Sequence, residues 1–213
     1  MELSSENTVF KYFSEFTETQ KNCYEQLGEL YKTWNKQINV VSRKDIDSIY
    51  LHHILHSLSI ACFMPFNPGS KILDLGTGGG LPGIPLAIFF PEVEFLLIDG
   101  KAKKIKVANE IINALGLKNV TARHQRSEEL KTKFDFVLAR AVTRLENLIP
   151  LCIRLVSNNH KHFLPNGILA LKGGDLKDEI DEVSKYHEVI KTPISKFYDE
   201  VYFEEKYILY IQG

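Results

Sequence analysis

Apolar positions recur at helical spacing through the first 65 or so residues. Leu27, Leu30, Tyr31, Trp34 and Ile38 form one stripe, and Leu51, Ile54, Leu55, Leu58 and Cys62 form a second, so two amphipathic helices are predicted. Pro65 and Pro68 close this region. From Lys71 the texture changes. Short apolar runs at Lys71–Leu75, Val93–Ile98, Asn119–Arg123, Phe134–Ala139 and Ile168–Lys172 are followed by a late pair near Glu188–Thr192 and Lys206–Ile211. Between them lie three helical stripes: Ile105, Ala108, Ile112 and Leu115, ended by Gly116; Leu145, Leu148, Ile149, Cys152 and Val156; then Leu176, Ile180 and Val183. Strands alternating with helices of this length imply βαβ units and a parallel sheet. Little helix separates the last two strands, so an antiparallel hairpin is expected at one sheet edge. The expected fold is α/β, with an N-terminal helical cap over residues 1–68 and a doubly wound, Rossmann-like unit over 69–213.

Composition narrows the class. Of 213 residues 44% are hydrophobic, enough for a substantial core, so wholesale disorder is excluded. Lys and Arg number 26 against 27 Asp and Glu, which excludes a uniformly basic nucleic-acid binder but leaves room for a local basic face. The longest apolar run, around Ile84–Phe90, is broken by Pro85 and ended by Pro91, so no membrane helix is expected. The opening MELSSENTVF lacks a basic-then-apolar signal pattern, and Cys23, Cys62 and Cys152 are odd in number with no C-x-x-C. We therefore expect a cytosolic, reduced, monomeric protein with no metal site.

The most informative segment runs from Ile72 to Gly83, ILDLGTGGGLPG. An apolar strand passes straight into glycines and then into a helix opened by Pro82 or Pro85. Such a loop lets the backbone turn sharply and approach a ligand, and the helix N-terminus adds free N–H groups. Residues 78–83 also satisfy G-x-G-x-x-G, so a nicotinamide or flavin dinucleotide must be weighed. Charge argues against it. Asp74 stands where a dinucleotide would place its pyrophosphate, and a carboxylate repels phosphate but attracts the ammonium and sulfonium of S-adenosylmethionine. Asp99 ends the second strand, where a carboxylate can accept from both ribose hydroxyls. Close backbone approach is expected at Gly76 and Gly78. Ser127 and Glu128 follow the third strand, either facing the adenine or capping a short helix.

The fourth strand ends in Ala139-Arg140-Ala141-Val142-Thr143-Arg144, beside the methyl donor. No Asn/Asp-Pro-Pro-aromatic turn is present to hold an exocyclic amine. Cys152 reads as core, which removes the nucleophile that methylation of a pyrimidine carbon needs. A ring nitrogen with a free lone pair, such as guanine N7, needs neither. Arg140 and Lys172, at neighbouring strand ends, are candidates to position donor or base, and a cation can hold guanine through O6. Lys101, Lys103, Lys104, Arg123, Arg126, Arg144 and Lys172 lie near the carboxyl ends of strands and are expected to form a basic RNA-binding rim.

At these residues the chain resembles the bacterial ribosomal RNA small subunit methyltransferase G family, also called glucose-inhibited division protein B. The resemblance covers nearly the whole length. It rests on Trp34-Asn-Lys-x-x-Asn39, His53-Ile-Leu-x-Ser57, the run from Asp74 to Pro85, Arg140-Ala141 and Leu171-Lys-Gly173. It implies a class I methyltransferase fold with a seven-stranded, mostly parallel sheet. It also implies S-adenosylmethionine as donor, 7-methylguanosine made at one position of 16S ribosomal RNA, and donor contacts at Gly76, Leu81, Ser127, Glu128 and Arg140. Where the family often has Asp in the His-Ile-Leu-Asp-Ser motif this chain has His56, which reads as a structural helix-face histidine. Two other readings stay open: a non-catalytic S-adenosylmethionine-binding factor in ribosome assembly, and an NAD-dependent oxidoreductase.

Overall fold

The fold is taken from a computed structural model that describes residues 5–213; the first four residues of the expected helical cap lie outside it. Seven strands form one sheet in the order β3-β2-β1-β4-β5-β7-β6. They are β1 (Lys71–Leu75), β2 (Glu94–Asp99), β3 (Val120–His124), β4 (Phe136–Arg140), β5 (Gly167–Gly173), β6 (Val189–Pro193) and β7 (Lys206–Gln212). The first five pair in parallel, whereas β7 runs antiparallel to both β5 and β6. The expected hairpin therefore forms the β6 edge, and every strand lies within two residues of its expected bounds.

The apolar runs are continuous because β1, β4 and β5 are covered on both faces. Alternate residues point to two layers. Ile72, Phe95, Leu97 and Leu138 join a cluster with the helices α1 (Glu6–Phe10), α2 (Glu18–Asn35), α3 (His56–Phe63), α4 (Gly83–Phe89) and α5 (Ala102–Ala114). Leu73, Ile98, Val137 and Ile168 pack under α6 (Leu145–Ile153) and α7 (Lys177–Val183). The N-terminal helices share one hydrophobic cluster with the inner face of the sheet, α2 touching α4 and α5 and α3 touching α4.

Both expected N-terminal stripes need adjustment. Helix α2 ends at Asn35, so Ile38 lies beyond it; the Asn35 side chain instead accepts from the N–H groups of Val40 and Val41 and turns the chain. The second stripe opens as a wide-turned π-helical segment, Tyr50–Leu55, that runs into α3. Its last member, Cys62, is exposed rather than buried. Such segments are rare and concentrate at functional sites. This one carries His52 and His53.

Candidate active site

Strand order reverses at β1, whose neighbours β2 and β4 lead to opposite halves of the sheet. In open α/β sheets ligands gather beyond the carboxyl ends of the strands at this switch point. Two cavities meet there. The larger, of about 580 Å³, is lined by Gly76–Gly79, Arg140, Ala141, Lys172 and residues of the π-helical segment and α3. The smaller, of about 180 Å³, is lined by Leu75, Gly76, Asp99, Gly100, Arg126, Ser127, Glu128 and Val142. Gly76 belongs to both.

The glycine loop is braced by the residue expected to face the ligand. Asp74 is fully buried, and its Oδ2 accepts from the Thr77 hydroxyl at 2.5 Å and from the Gly83 N–H at 2.8 Å. Gly83 is required by this approach: a Cβ there would stand 2.7 Å from Leu97 and 2.8 Å from the Asp74 carboxylate. The other oxygen, Oδ1, is buried with no hydrogen-bond partner among the described residues. Burial pushes the Asp74 pKa up to about 6, against the pull of Thr77, Gly83 and the Arg140 charge. An unpartnered buried oxygen of this kind costs about 1–3 kcal/mol.

Asp99 is likewise engaged by backbone, accepting from Gly78 N–H at 2.9 Å and Lys101 N–H at 2.7 Å. A carboxylate offers about four lone-pair sites, so capacity for two ribose hydroxyls remains. Ser127 is buried at the start of a short 3-10 turn, Ser127–Glu129, and its hydroxyl donates to Glu128. Ser127 is the first residue of the turn and not its cap, which is Arg126 and makes no side-chain capping bond, and both Ser127 and Glu128 line the smaller cavity. Leu81 is buried and lines the larger one.

Arg140 ends β4 half-buried at the centre of the larger cavity. Among the described residues no hydrogen bond or ion pair holds its guanidinium, and burial lowers its pKa from the ordinary value. Its charge is therefore not neutralised by an ion pair among the described residues. Ala141, next in sequence, has φ of 51°, and the Val142 side chain that follows lies against Gly76.

Lys172 does not join the basic rim. Its ammonium bonds Glu179 Oε1 at 2.5 Å and the Thr143 carbonyl at 2.6 Å, and the same Glu179 oxygen accepts from Leu145 N–H at 2.6 Å. This pair closes α7 onto the start of α6 and commits the Lys172 ammonium to Glu179 and the Thr143 carbonyl. Arg144 is exposed but paired with Glu146 and Glu182. Such surface pairs exchange easily, so it stays within reach of a phosphate. Lys101, Lys103, Arg123 and Arg126 are exposed as expected. Lys104 lies instead over the glycine loop, within 4 Å of where a Gly78 Cβ would be, and lines the larger cavity.

Another part of the cavity lining was given no site role from the sequence. His52, His53 and His56, with Tyr202 from the turn Val201–Phe203, line it. His52 is satisfied: its ring stacks on Tyr202 with centroids 4.0 Å apart and meets Asp45 at 3.1 Å. Among the described residues both buried ring nitrogens of His53, and Nε2 of His56, have no hydrogen-bond partner. Burial and then the Arg140 charge lower the His53 pKa to about 3 and push His56 well below its ordinary value, so both are neutral. The available signal was three histidines within five residues of an otherwise apolar helix.

This strand order, with the glycine loop at the switch point and Asp99 on the next strand, defines a class I S-adenosylmethionine-dependent methyltransferase. Solved structures share the fold. Precorrin-6y C5,15-methyltransferase from Geobacter metallireducens aligns with a TM-score of 0.57 at 12% identity, over 83% of this chain and 92% of that one. A mutant of MtNAS in complex with S-adenosylmethionine aligns at 0.59 and 12% identity, over 91% and 76%. The model of the GidB family, rRNA small subunit methyltransferase G, matches residues 20–200. Proteins named ribosomal RNA small subunit methyltransferase G are 48% identical in Bacteroides thetaiotaomicron, over 96% of this chain and 98% of that one, and 49% identical in Christiangramia forsetii, over 94% of each. The chain belongs to the rRNA small subunit methyltransferase G family.

Proposed function

We propose that the protein transfers a methyl group from S-adenosylmethionine to N7 of one guanine in 16S ribosomal RNA. The carrying observation is the two-lobed site joined at Gly76. The smaller lobe, with Asp99, Ser127 and Glu128, suits the adenosine, and the larger suits the amino-acid end and the acceptor base. Asp74 Oδ1 then receives the donor ammonium and Arg140 its carboxylate, which satisfies the orphaned oxygen and the uncommitted cation together. The donor brings a methyl on a sulfonium: the sulfur–carbon bond breaks as the N7–carbon bond forms, and the positive charge passes to the guanine ring. N7 carries no proton, so no general base is required, and this chain's residues act by alignment and by excluding water. Lys101, Lys103, Arg123 and Arg126, exposed near the carboxyl ends of β2 and β3, suit a phosphate-binding rim, with the small ribosomal subunit as partner.

The test is methyl transfer from labelled donor to 16S RNA, naked and in small subunits from cells lacking the modification, with nucleoside analysis. Label in 7-methylguanosine at one position is expected. Donor-induced stabilisation without any label would favour the non-catalytic assembly role, and stabilisation by NAD would favour the oxidoreductase. A pH dependence follows from Asp74. Below its pKa of about 6 the carboxyl is neutral and loses its attraction for the ammonium, so donor affinity should fall about tenfold between pH 7 and pH 5. Calorimetric titration at both values checks this, and Asp74→Asn should flatten the profile.

A further inference from the structure

We propose that His53, with His56 and Tyr202 beside it, seats the acceptor guanine and reads the edge of the base turned away from the methyl donor. The inference rests on the methyltransferase reading above and concerns what selects the base. With N7 directed at the methyl group, O6 lies alongside it, and the N1–H and N2 amine donors point away. O6 needs a hydrogen-bond donor, and with Arg140 on the donor carboxylate the cavity offers Lys104 and Lys206, cations that can only donate. The far edge needs an acceptor. Glu179 is committed to Lys172 and Leu145, and Asp74 lies beneath the glycine loop. Asp175 is exposed and already takes the Lys177 N–H.

A neutral imidazole supplies the missing acceptor, with one lone pair and one N–H. His53 is the ring on this wall with neither nitrogen partnered among the described residues, and Arg140, whose charge bears on it, is the side chain that the donor carboxylate draws aside. Two further observations point the same way. The segment that carries His53 is π-helical, a local distortion that apolar packing does not call for. Its neighbour Tyr202 is held by its hydroxyl donating to the His52 carbonyl at 3.2 Å and by stacking on the His52 ring. That leaves a fixed aromatic surface at the cavity wall.

The experiment compares wild type, His53→Leu, His53→Gln and Asp175→Asn in methyl transfer to unmodified small subunits, with melting temperature and donor affinity measured on the same preparations. His53→Leu should melt at or above the wild-type temperature, because an unsatisfied polar ring is replaced by an apolar one of similar size. It should bind donor within about threefold of wild type while kcat/KM falls about 100-fold or more. His53→Gln, which restores an amide donor and acceptor, should recover most of the loss, and Asp175→Asn should not reproduce it. At saturating donor the wild-type KM for small subunits should stay level from pH 5.5 to 8.5, since His53 acts without charge. Retained kcat/KM in His53→Leu, an equal loss of donor affinity, or no recovery in His53→Gln overturns the inference. Absence of guanine methylation by wild type overturns the functional reading instead.

Discussion

Lys172→Met is expected to lower the unfolding free energy by about 3–5 kcal/mol, because it strands the Glu179 carboxylate in a site that water scarcely reaches. The two side chains are only 13% and 10% exposed, and Glu179 also carries the first N–H of α6. Adding Glu179→Gln to Lys172→Met should recover most of that loss, because the neutral amide can still accept from Leu145 without needing a counter-ion. Urea denaturation of both single variants and the double variant measures the coupling. A loss below about 1 kcal/mol would mean that the pair is solvated and that Lys172 is available to a ligand after all. The same variant frees the Thr143 carbonyl, so the loop that holds Val142 over Gly76 should loosen with it.

Gly76→Val is expected to remove donor binding, with affinity falling more than about 100-fold, or about 2.7 kcal/mol. Two physical causes act together. The backbone at Gly76 has φ of +69°, which a β-branched residue resists, and a Cβ would stand 2.8 Å from Val142 at the joint between the two cavities. Gly116→Ala separates these causes. Gly116 has nearly the same φ, +65°, but nothing lies within 4 Å of its Cβ position. That control should lose about 1 kcal/mol of stability and bind donor normally. Calorimetric titration of both variants gives the comparison. Donor binding retained in Gly76→Val would place the donor elsewhere than this joint.

Much of the molecule was legible before any coordinates. Strand positions came out within two residues because β1, β4 and β5 are buried on both faces, and a fully buried strand leaves an unbroken apolar run between turn residues. The edge hairpin was legible from the missing helix between its strands. The glycine loop announced the switch point, because left-handed turns and close approaches leave glycines in the sequence itself. The end of α2 was less clear: Ile38 keeps helical spacing, but the Asn35 side chain captures the next turn's N–H groups and stops the helix.

The candidate site was legible as residue types and not as roles. Asp74 was read as facing a ligand, yet one of its oxygens ties Thr77 and Gly83 into the loop that makes the pocket. Lys172 was read as free, yet it is neutralised by Glu179, a neighbour only once β5 turns back into α7. His56 was read as a helix-face residue and His53 only as part of a motif, because a helical stripe shows which face is covered but not whether a ring nitrogen finds a partner there. By itself the sequence determined the order of elements, the two buried faces and the position of the phosphate-free donor loop, since each depends on neighbours a few residues apart. Only the tertiary structure decided which charges are consumed by the fold and which polar atoms stay unsatisfied at the cavity, because ion pairing and desolvation depend on distances between residues that folding alone brings together.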